Sequence, residues 1–240
     1  VAMVNSHPLN NAQTSHDGGT ETNYDLAHAL RVKAAATALR RYVVSKNDPS
    51  IYRKTHRMAL GVNADEVRRL EERFAVFKDS YKDLFLIYAD DLWLFEPNVM
   101  KGRRDKANVA ALVSGEGYAV NYQRLSEHLL DDAKKICPEF DPRFNTKVLD
   151  VRKENGMWRV ETDSGTFHAE VVVFAAGSYS LFFAQKLGYG LDYAILPVAG
   201  DFFSAGDFVN GKVYRVQVEG RPFAEVHADP DLLDPKVTRI

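Results

Sequence analysis

Three stretches of this chain carry residue types suited to chemistry. Toward its end, His227 is followed by Asp229, Asp231, Asp234 and Arg239. An imidazole can take a proton near neutral pH, and a guanidinium can grip a carboxylate through two parallel hydrogen bonds. A histidine among carboxylates is also a common surface arrangement, and residue types alone leave both readings open. Near the start, Asn10-Asn11-Ala12-Gln13-Thr14-Ser15-His16-Asp17-Gly18-Gly19 gathers small hydroxyl and amide side chains on permissive backbone. Such a stretch suits a phosphate or the polar edge of a ring, although its composition favours a solvated loop. Between them lies Val171-Val172-Val173-Phe174-Ala175-Ala176-Gly177. This run does not alternate, so it predicts an interior parallel strand buried on both faces, with Gly177 admitting a ligand at its carboxyl end.

The usual cofactor and metal signatures are missing. No G-x-G-x-x-G occurs, since Gly115-Glu116-Gly117 and Gly188-Tyr189-Gly190 both lack the third glycine. Walker loop, Cys-x-x-Cys and His-Glu-x-x-His are absent too, so residue patterns alone supply neither a nucleotide site nor a metal site. Lys101, Arg103, Arg104 and Lys106 fit a solvated basic loop. Trp93, Phe95, Trp158, Phe174, Phe182 and Phe183 fit a core better than a cofactor box.

These residues must be positioned by elements that the rest of the sequence outlines. With 45% hydrophobic and 27% charged residues in 240, the chain has the balance of a folded globular protein. Its 31 basic against 33 acidic side chains leave no surplus for nucleic acid. Cys137 is the only cysteine, which excludes an intrachain disulfide framework and suits a reducing compartment. No apolar run reaches the roughly 18 residues a bilayer span needs. Residue 1 is Val, and the opening residues lack the blocks of a secretory signal, so the chain is expected to begin partway through a longer protein.

Residues 1–4 suggest the stub of a strand and 5–20 a loop. Thr22, Asn23 and Asp25 then open a helix carrying Leu26, Leu30, Ala34, Leu39 and Val43, which stops at Asp48-Pro49. Residues 51–62 are strand-like. Asn63 and Glu66 form a capping box for a helix with Val67, Leu70, Phe74 and Phe77 on one face. A short helix ends near Glu96-Pro97-Asn98. After a glycine-rich Ser114-Gly115-Glu116-Gly117, Asn121 caps a helix closed by Cys137-Pro138. Residues 147–154 and 157–163 alternate about Asn155-Gly156, the pair a type I′ hairpin turn requires. A short helix is expected over 179–187, and antiparallel strands over 195–205 and 211–218. The sum is mixed α/β with two kinds of sheet.

Taken in order, these pieces resemble the FAD-dependent malate:quinone oxidoreductases of the D-amino-acid oxidase and 2-hydroxyglutarate dehydrogenase superfamily. The likeness is carried by Asn11-Ala12-Gln13-Thr14-Ser15-His16-Asp17-Gly18 with Thr22-Asn23-Tyr24, by Phe95-Glu96-Pro97-Asn98-Val99, and by Val173-Phe174-Ala175-Ala176-Gly177-Ser178-Tyr179. Leu196-Pro197-Val198-Ala199-Gly200 and Phe223-Ala224-Glu225-Val226-His227-Ala228-Asp229-Pro230-Asp231 extend it. The resemblance implies an incomplete doubly wound FAD-binding domain with a β-meander (1–50 and 114–190) and an antiparallel-sheet substrate domain (51–113 and 191–240). It implies FAD along Gln13, Thr14, Ser15 and His16, with Val148 toward the adenine and Ala176-Gly177 passing close to the cofactor.

The activity implied is oxidation of malate to oxaloacetate, with electrons leaving for a membrane quinone. His227 would take the hydroxyl proton, with His16 as its rival, and Arg239 would hold a substrate carboxylate. The protein would sit on the cytoplasmic face of the cell membrane as a peripheral enzyme without metal. Family members also carry a G-x-G-x-x-G strand-turn before this region and a glycine-rich segment after it, so residues 1–240 by themselves are expected to bind FAD weakly or not at all and to be inactive. A related FAD-dependent 2-hydroxy-acid or amino-acid dehydrogenase is the enzymatic alternative. A catalytically silent binding module is the alternative from another class.

Overall fold

The computed structural model describes residues 11–196, 202–218 and 225–240. The strand stub expected over 1–4, most of Leu196-Pro197-Val198-Ala199-Gly200, and Phe223-Ala224 lie outside them. The chain divides into two compact units, one formed by the described residues up to Lys135 with those of Phe202–Ile240, the other by Ile136–Asp201.

The first unit opens with the loop at 11–24 and helix α1 (Leu26–Ser45), whose first turn is capped by the Asp25 carboxylate accepting from the His28 N–H at 2.7 Å. Strand β1 (Tyr52–Gly61) leads to α2 (Ala64–Phe77). There the capping box forms with a shift: Asn63 accepts from the Glu66 N–H at 3.0 Å, while Glu66 reaches past Asn63 to accept from the Val62 N–H at 2.8 Å. Next come β2 (Leu84–Tyr88), α3 (Ala89–Phe95), α4 (Pro97–Met100) and β3 (Ala110–Val120). The glycine-rich 114–117 segment is therefore not a loop. It lies within β3, opposite an irregularity between Thr55 and Arg57 of β1. Asn121 caps α5 (Tyr122–Ile136) through the Arg124 N–H at 3.2 Å.

The second unit holds the meander β4 (Val148–Glu154), β5 (Met157–Thr162) and β6 (Gly165–Ala169), followed by α6 (Tyr179–Lys186). At the β4–β5 turn, Asn155 and Gly156 have φ of 50° and 84°, the left-handed pair that the sequence predicts. The expected buried strand at 171–176 does not form. That run joins no ladder with any described strand, and Val171 and Val173 are 73% and 82% exposed. An apolar run signals a wish for burial, but only a neighbouring strand turns it into a sheet.

Chain segments returning to the first unit supply β7 (Ser204–Ala205), β8 (Lys212–Arg215), β9 (His227–Pro230) and β10 (Thr238–Arg239). Strand formation over 195–205 is thus limited, among the described residues, to β7. The seven strands run in the order β2-β3-β1-β8-β9-β10-β7. All pairs are antiparallel except β1–β8, which is parallel. Three apolar clusters flank this sheet, centred on Met58, Leu92 and Met100, on Leu70, Phe77 and Leu112, and on Val43, Ile51 and Val120. Each such side chain, fully buried, contributes roughly 1.5–3 kcal/mol. Trp93, by contrast, is 39% exposed and Phe182 51%, so not all the aromatics expected in the core are there.

Candidate active site

The parallel pairing of β1 with β8 sets Arg57 opposite Lys212. Both are cations with fully buried side chains, and both reach into the 12–21 loop. The Lys212 ammonium donates to the Ala12 carbonyl (2.9 Å), Thr14 Oγ1 (2.7 Å) and Asp229 Oδ1 (3.0 Å), so its three protons are all used. Burial lowers its pKa, against the pull of Asp229. Arg57 donates through Nη1 to the Ser15 carbonyl and to Glu21 Oε1, both at 3.2 Å, and pairs through Nη2 with Asp17. Burial alone would weaken its charge, but Glu21 and Asp17 raise its pKa overall.

The loop itself is not the solvated segment its composition suggests. Gln13, Thr14, Ser15 and 17–20 are buried, and His16 alone in the run is exposed. Thr14 bridges Ala119 of β3, with Val120 N–H donating to the Gln13 carbonyl at 2.7 Å and Ser15 N–H to the Tyr118 carbonyl at 3.1 Å. Arg73 of α2 clamps the far side, donating to the carbonyls of Gly18 (2.7 Å), Gly19 (3.1 Å) and Tyr24 (2.7 Å). Gly18 has φ of 88°, and a Cβ there would stand 2.6 Å from Ala29 Cα on α1, so only glycine lets loop and helix close.

Above this frame lies a pocket of about 420 Å³, with Thr14, His16, Glu21, Tyr214, Arg215 and His227 among its walls. His227 stacks on Tyr214 with ring centroids 5.4 Å apart, and His16 stands 6.3 Å from the same ring. Each histidine has its own carboxylate. His16 Nδ1 lies 2.7 Å from Glu21 Oε1. His227 Nε2 lies 3.3 Å from Asp229 Oδ2, within ion-pair range but out of line for a hydrogen bond. Burial opposes the charge of Glu21, yet Arg57 and the His16 bond outweigh it and hold its carboxyl down at about 2. Burial and Asp229 raise the Tyr214 phenol, which keeps it protonated.

Of the residues the sequence singles out, Thr14, His16 and His227 line this pocket, with Gln13 and Ser15 buried beside them in the loop. Gln13, with φ of 53°, turns its side chain to accept from the Leu232 N–H at 2.8 Å. Arg239 is held elsewhere, its guanidinium paired with the Asp231 carboxylate. In the second unit, Val148 is 38% exposed at the start of β4 and pairs with Thr162. Ala176 and Gly177, the latter with φ of 57°, make the exposed turn that enters α6. Sequence reasoning misses Glu21, Arg57, Tyr214 and Lys212. The available signal is a charged residue placed directly before the apolar run of a strand, at Arg57-Met58-Ala59-Leu60 and Lys212-Val213-Tyr214.

The pocket fits the polar edge of a ring system. Thr20 Oγ1, on the pocket wall, is buried without a hydrogen-bond partner among the described residues, as a polar atom meant for a ligand would be, and Ser15 Oγ in the adjoining loop is also unpaired. Its volume suits a flat ring or a small acid rather than a whole dinucleotide. Among the described residues, no group of three or more His, Cys, Asp or Glu side chains is arranged to hold a metal ion.

Comparison with known proteins agrees with this architecture. The malate:quinone oxidoreductase family model matches residues 1–237. A probable malate:quinone oxidoreductase of Helicobacter pylori is 36% identical over all of this chain and 55% of its own length, and one of Campylobacter jejuni is 34% identical over all of this chain and 56% of its own. The chain therefore spans about half the length of the curated relatives it matches. Among solved structures, L-α-glycerophosphate oxidase of Mycoplasma pneumoniae superposes with a TM-score of 0.69 at 16% identity, covering 97% of this chain and 60% of that one. Glycine oxidase of Bacillus cereus gives 0.68 at 18%, covering 91% and 57%. At such identities the likeness establishes the fold. With the family model spanning nearly its whole length, the chain belongs to the malate:quinone oxidoreductase family.

Proposed function

We propose that this protein, with FAD bound, oxidises (S)-malate to oxaloacetate and passes the electrons to a membrane quinone. The observation that carries the reading is the pocket in a chain of this family, where two imidazoles, each backed by a carboxylate, flank a half-buried tyrosine. Bound FAD would supply the hydride acceptor, chemistry that no side chain offers. Gln13, Thr14, Ser15 and His16 would lie along the cofactor, Ser15 Oγ and Thr20 Oγ1 would meet its polar edge, and Val148, Ala176 and Gly177 would serve it from the second unit's sequence. A pocket imidazole, His227 or His16, takes the proton of the substrate hydroxyl as charge develops on that oxygen. Arg239 can hold a substrate carboxylate only if its pair with Asp231 opens, whereas Arg215, 2.7 Å from Glu66, already borders the pocket.

Delivery to a membrane quinone calls for attachment at the cytoplasmic surface of the bilayer. Among the described residues, no helix is long and apolar enough to cross a membrane. By themselves, residues 1–240 are proposed to bind FAD weakly and to be inactive, since the sequence has no G-x-G-x-x-G turn to hold a pyrophosphate. Tight stoichiometric FAD binding in a titration would contradict that. The activity is tested on the FAD-loaded protein expressed from its complete gene, by following anaerobic flavin bleaching with malate, 2-hydroxyglutarate and amino acids, then reoxidation by a quinone. Malate should bleach the flavin fastest. Bleaching by an amino acid and not by malate refutes the proposal in favour of a related dehydrogenase.

A further inference from the structure

Which histidine can accept a proton depends on which has a ring nitrogen to offer. His227 offers neither to the pocket: Nε2 is buried beside Asp229 Oδ2 at 3.3 Å, out of line for a hydrogen bond, and Nδ1 lies 3.4 Å from the Glu225 carbonyl oxygen. Stacking on Tyr214 fixes the ring in that attitude. His16 is set differently. Its Nδ1 meets Glu21 Oε1 at 2.7 Å, its side chain is 46% exposed in a run of buried neighbours, and no described residue bonds its Nε2. A carboxylate at Nδ1 holds the proton there, which leaves the Nε2 lone pair directed outward.

The carboxylate is in turn fixed from below. Arg57 reaches the same Glu21 oxygen at 3.2 Å and is anchored by the Ser15 carbonyl and by Asp17, which also accepts from the Gly19 N–H at 3.0 Å. The order Arg57–Glu21–His16 thus runs from the sheet interior to the pocket. Glu21 stays ionised throughout the neutral range, so the dyad can stabilise an imidazolium.

We infer that His16 is the general base of this pocket, with Glu21 and Arg57 as its positioning residues. The inference rests on the function proposed above and names the group that carries its proton step. The hydroxyl O–H bond of a 2-hydroxy acid breaks, its proton goes to His16 Nε2, the C2–H pair leaves as hydride to the oxidised flavin, and the C–O bond becomes a carbonyl. His227, held by Asp229 and Tyr214, shapes the wall opposite.

The test uses the FAD-loaded protein from the complete gene. His16→Ala should lower kcat about 10²-fold or more while flavin stays bound, and added imidazole should restore part of it. His227→Gln should cost less than about tenfold. Glu21→Gln should lower kcat more than it changes KM, with Glu21→Asp recovering part of the loss. Independently of turnover, diethyl pyrocarbonate followed by peptide mass mapping should acylate His16 ahead of His227, and malate should protect it. Wild-type kcat in His16→Ala, or equal acylation of His16 with and without malate in a protein that malate reduces, overturns the inference. A wild-type protein whose flavin malate does not reduce refutes the proposed function instead, and the order of acylation, His16 before His227, still decides the geometry.

Discussion

Glu21→Gln separates the electrostatics of this site from its packing, because the two side chains are nearly the same size. The structure puts the Glu21 carboxyl at about 2, against 4.5 for an unperturbed glutamate. Burial works against ionisation, and Arg57 followed by His16 more than offset it. A carboxyl with a depressed folded-state pKa contributes stability that is complete above its unfolded value and vanishes as pH falls through the folded one. For Glu21 the window runs from 4.5 down to about 2. Linkage gives about 3 kcal/mol at pH near 6, declining to about 1 kcal/mol at pH near 3. Groups that titrate alike in both proteins cancel in the difference, and any packing cost of the glutamine is a constant offset. Urea unfolding of wild type and Glu21→Gln, followed by tryptophan fluorescence, should therefore show a stability gap that narrows by about 2 kcal/mol between those pH values. A gap that stays constant with pH would refute the view that Arg57 and His16 hold this carboxylate charged.

Four other substitutions, two of them paired, probe the fold around the site. Glu96 is fully buried, accepting from Asn210 N–H at 2.9 Å, Gly211 N–H at 2.7 Å and His56 Nε2 at 2.7 Å, so Glu96→Gln turns an NH₂ toward a donor and should destabilise by about 2–4 kcal/mol in urea unfolding. Gly18→Ala must place a methyl 2.6 Å from Ala29 Cα at φ of 88°; a loss of about 2–4 kcal/mol is expected by the same assay. Lys212→Met leaves Asp229 buried without its ammonium partner and should cost about 3–5 kcal/mol, while adding Asp229→Leu should recover most of it, a coupling that a double-mutant cycle reads directly.

Local signals in the sequence translate well into structure. Asp25, Asn63 and Asn121 cap the three long helices, and Asn155-Gly156 makes its turn, because each depends on a few adjacent residues. What fails is what depends on distant partners. The 171–176 run is apolar enough for a buried strand but gains no ladder, and 114–117 carries glycines yet sits in β3 because β1 and β2 pair on either side of that strand. The site follows the same division. His16 and His227 stand out by residue type, whereas Glu21 and Arg57 matter only because the loop folds over the sheet at the Thr14–Ala119 bridge and brings Glu21 within reach of Arg57, a long-range pairing that local composition does not show. Arg239 illustrates the converse: its type suits a carboxylate, and the carboxylate it finds is Asp231 of its own chain.

The buried ions around the pocket are hard to explain as sources of stability. Each charge taken from water costs several kcal/mol, and a buried pair does little better than break even against apolar side chains of similar volume. Yet Arg57, Lys212 and Asp229 gather around one loop, which itself carries Asp17. The loop explains them. Its backbone is largely buried but, among the described residues, forms a single bridge to the sheet at Thr14, so most of its carbonyls have no strand partner among them. Buried carbonyls must find donors, and the donors come from regular elements: Lys212 of β8 for Ala12, Arg57 of β1 for Ser15, Arg73 of α2 for Gly18, Gly19 and Tyr24. Cations reach where main-chain N–H groups cannot, and their counter-charges Glu21 and Asp229 are the same carboxylates that face the two histidines. Stability and pocket order should then separate: the Lys212→Met/Asp229→Leu protein can approach wild-type stability while the Ala12 carbonyl keeps only the Thr14 hydroxyl as donor and Thr14 loses its Lys212 bond, so the loop loses the shape that presents His16.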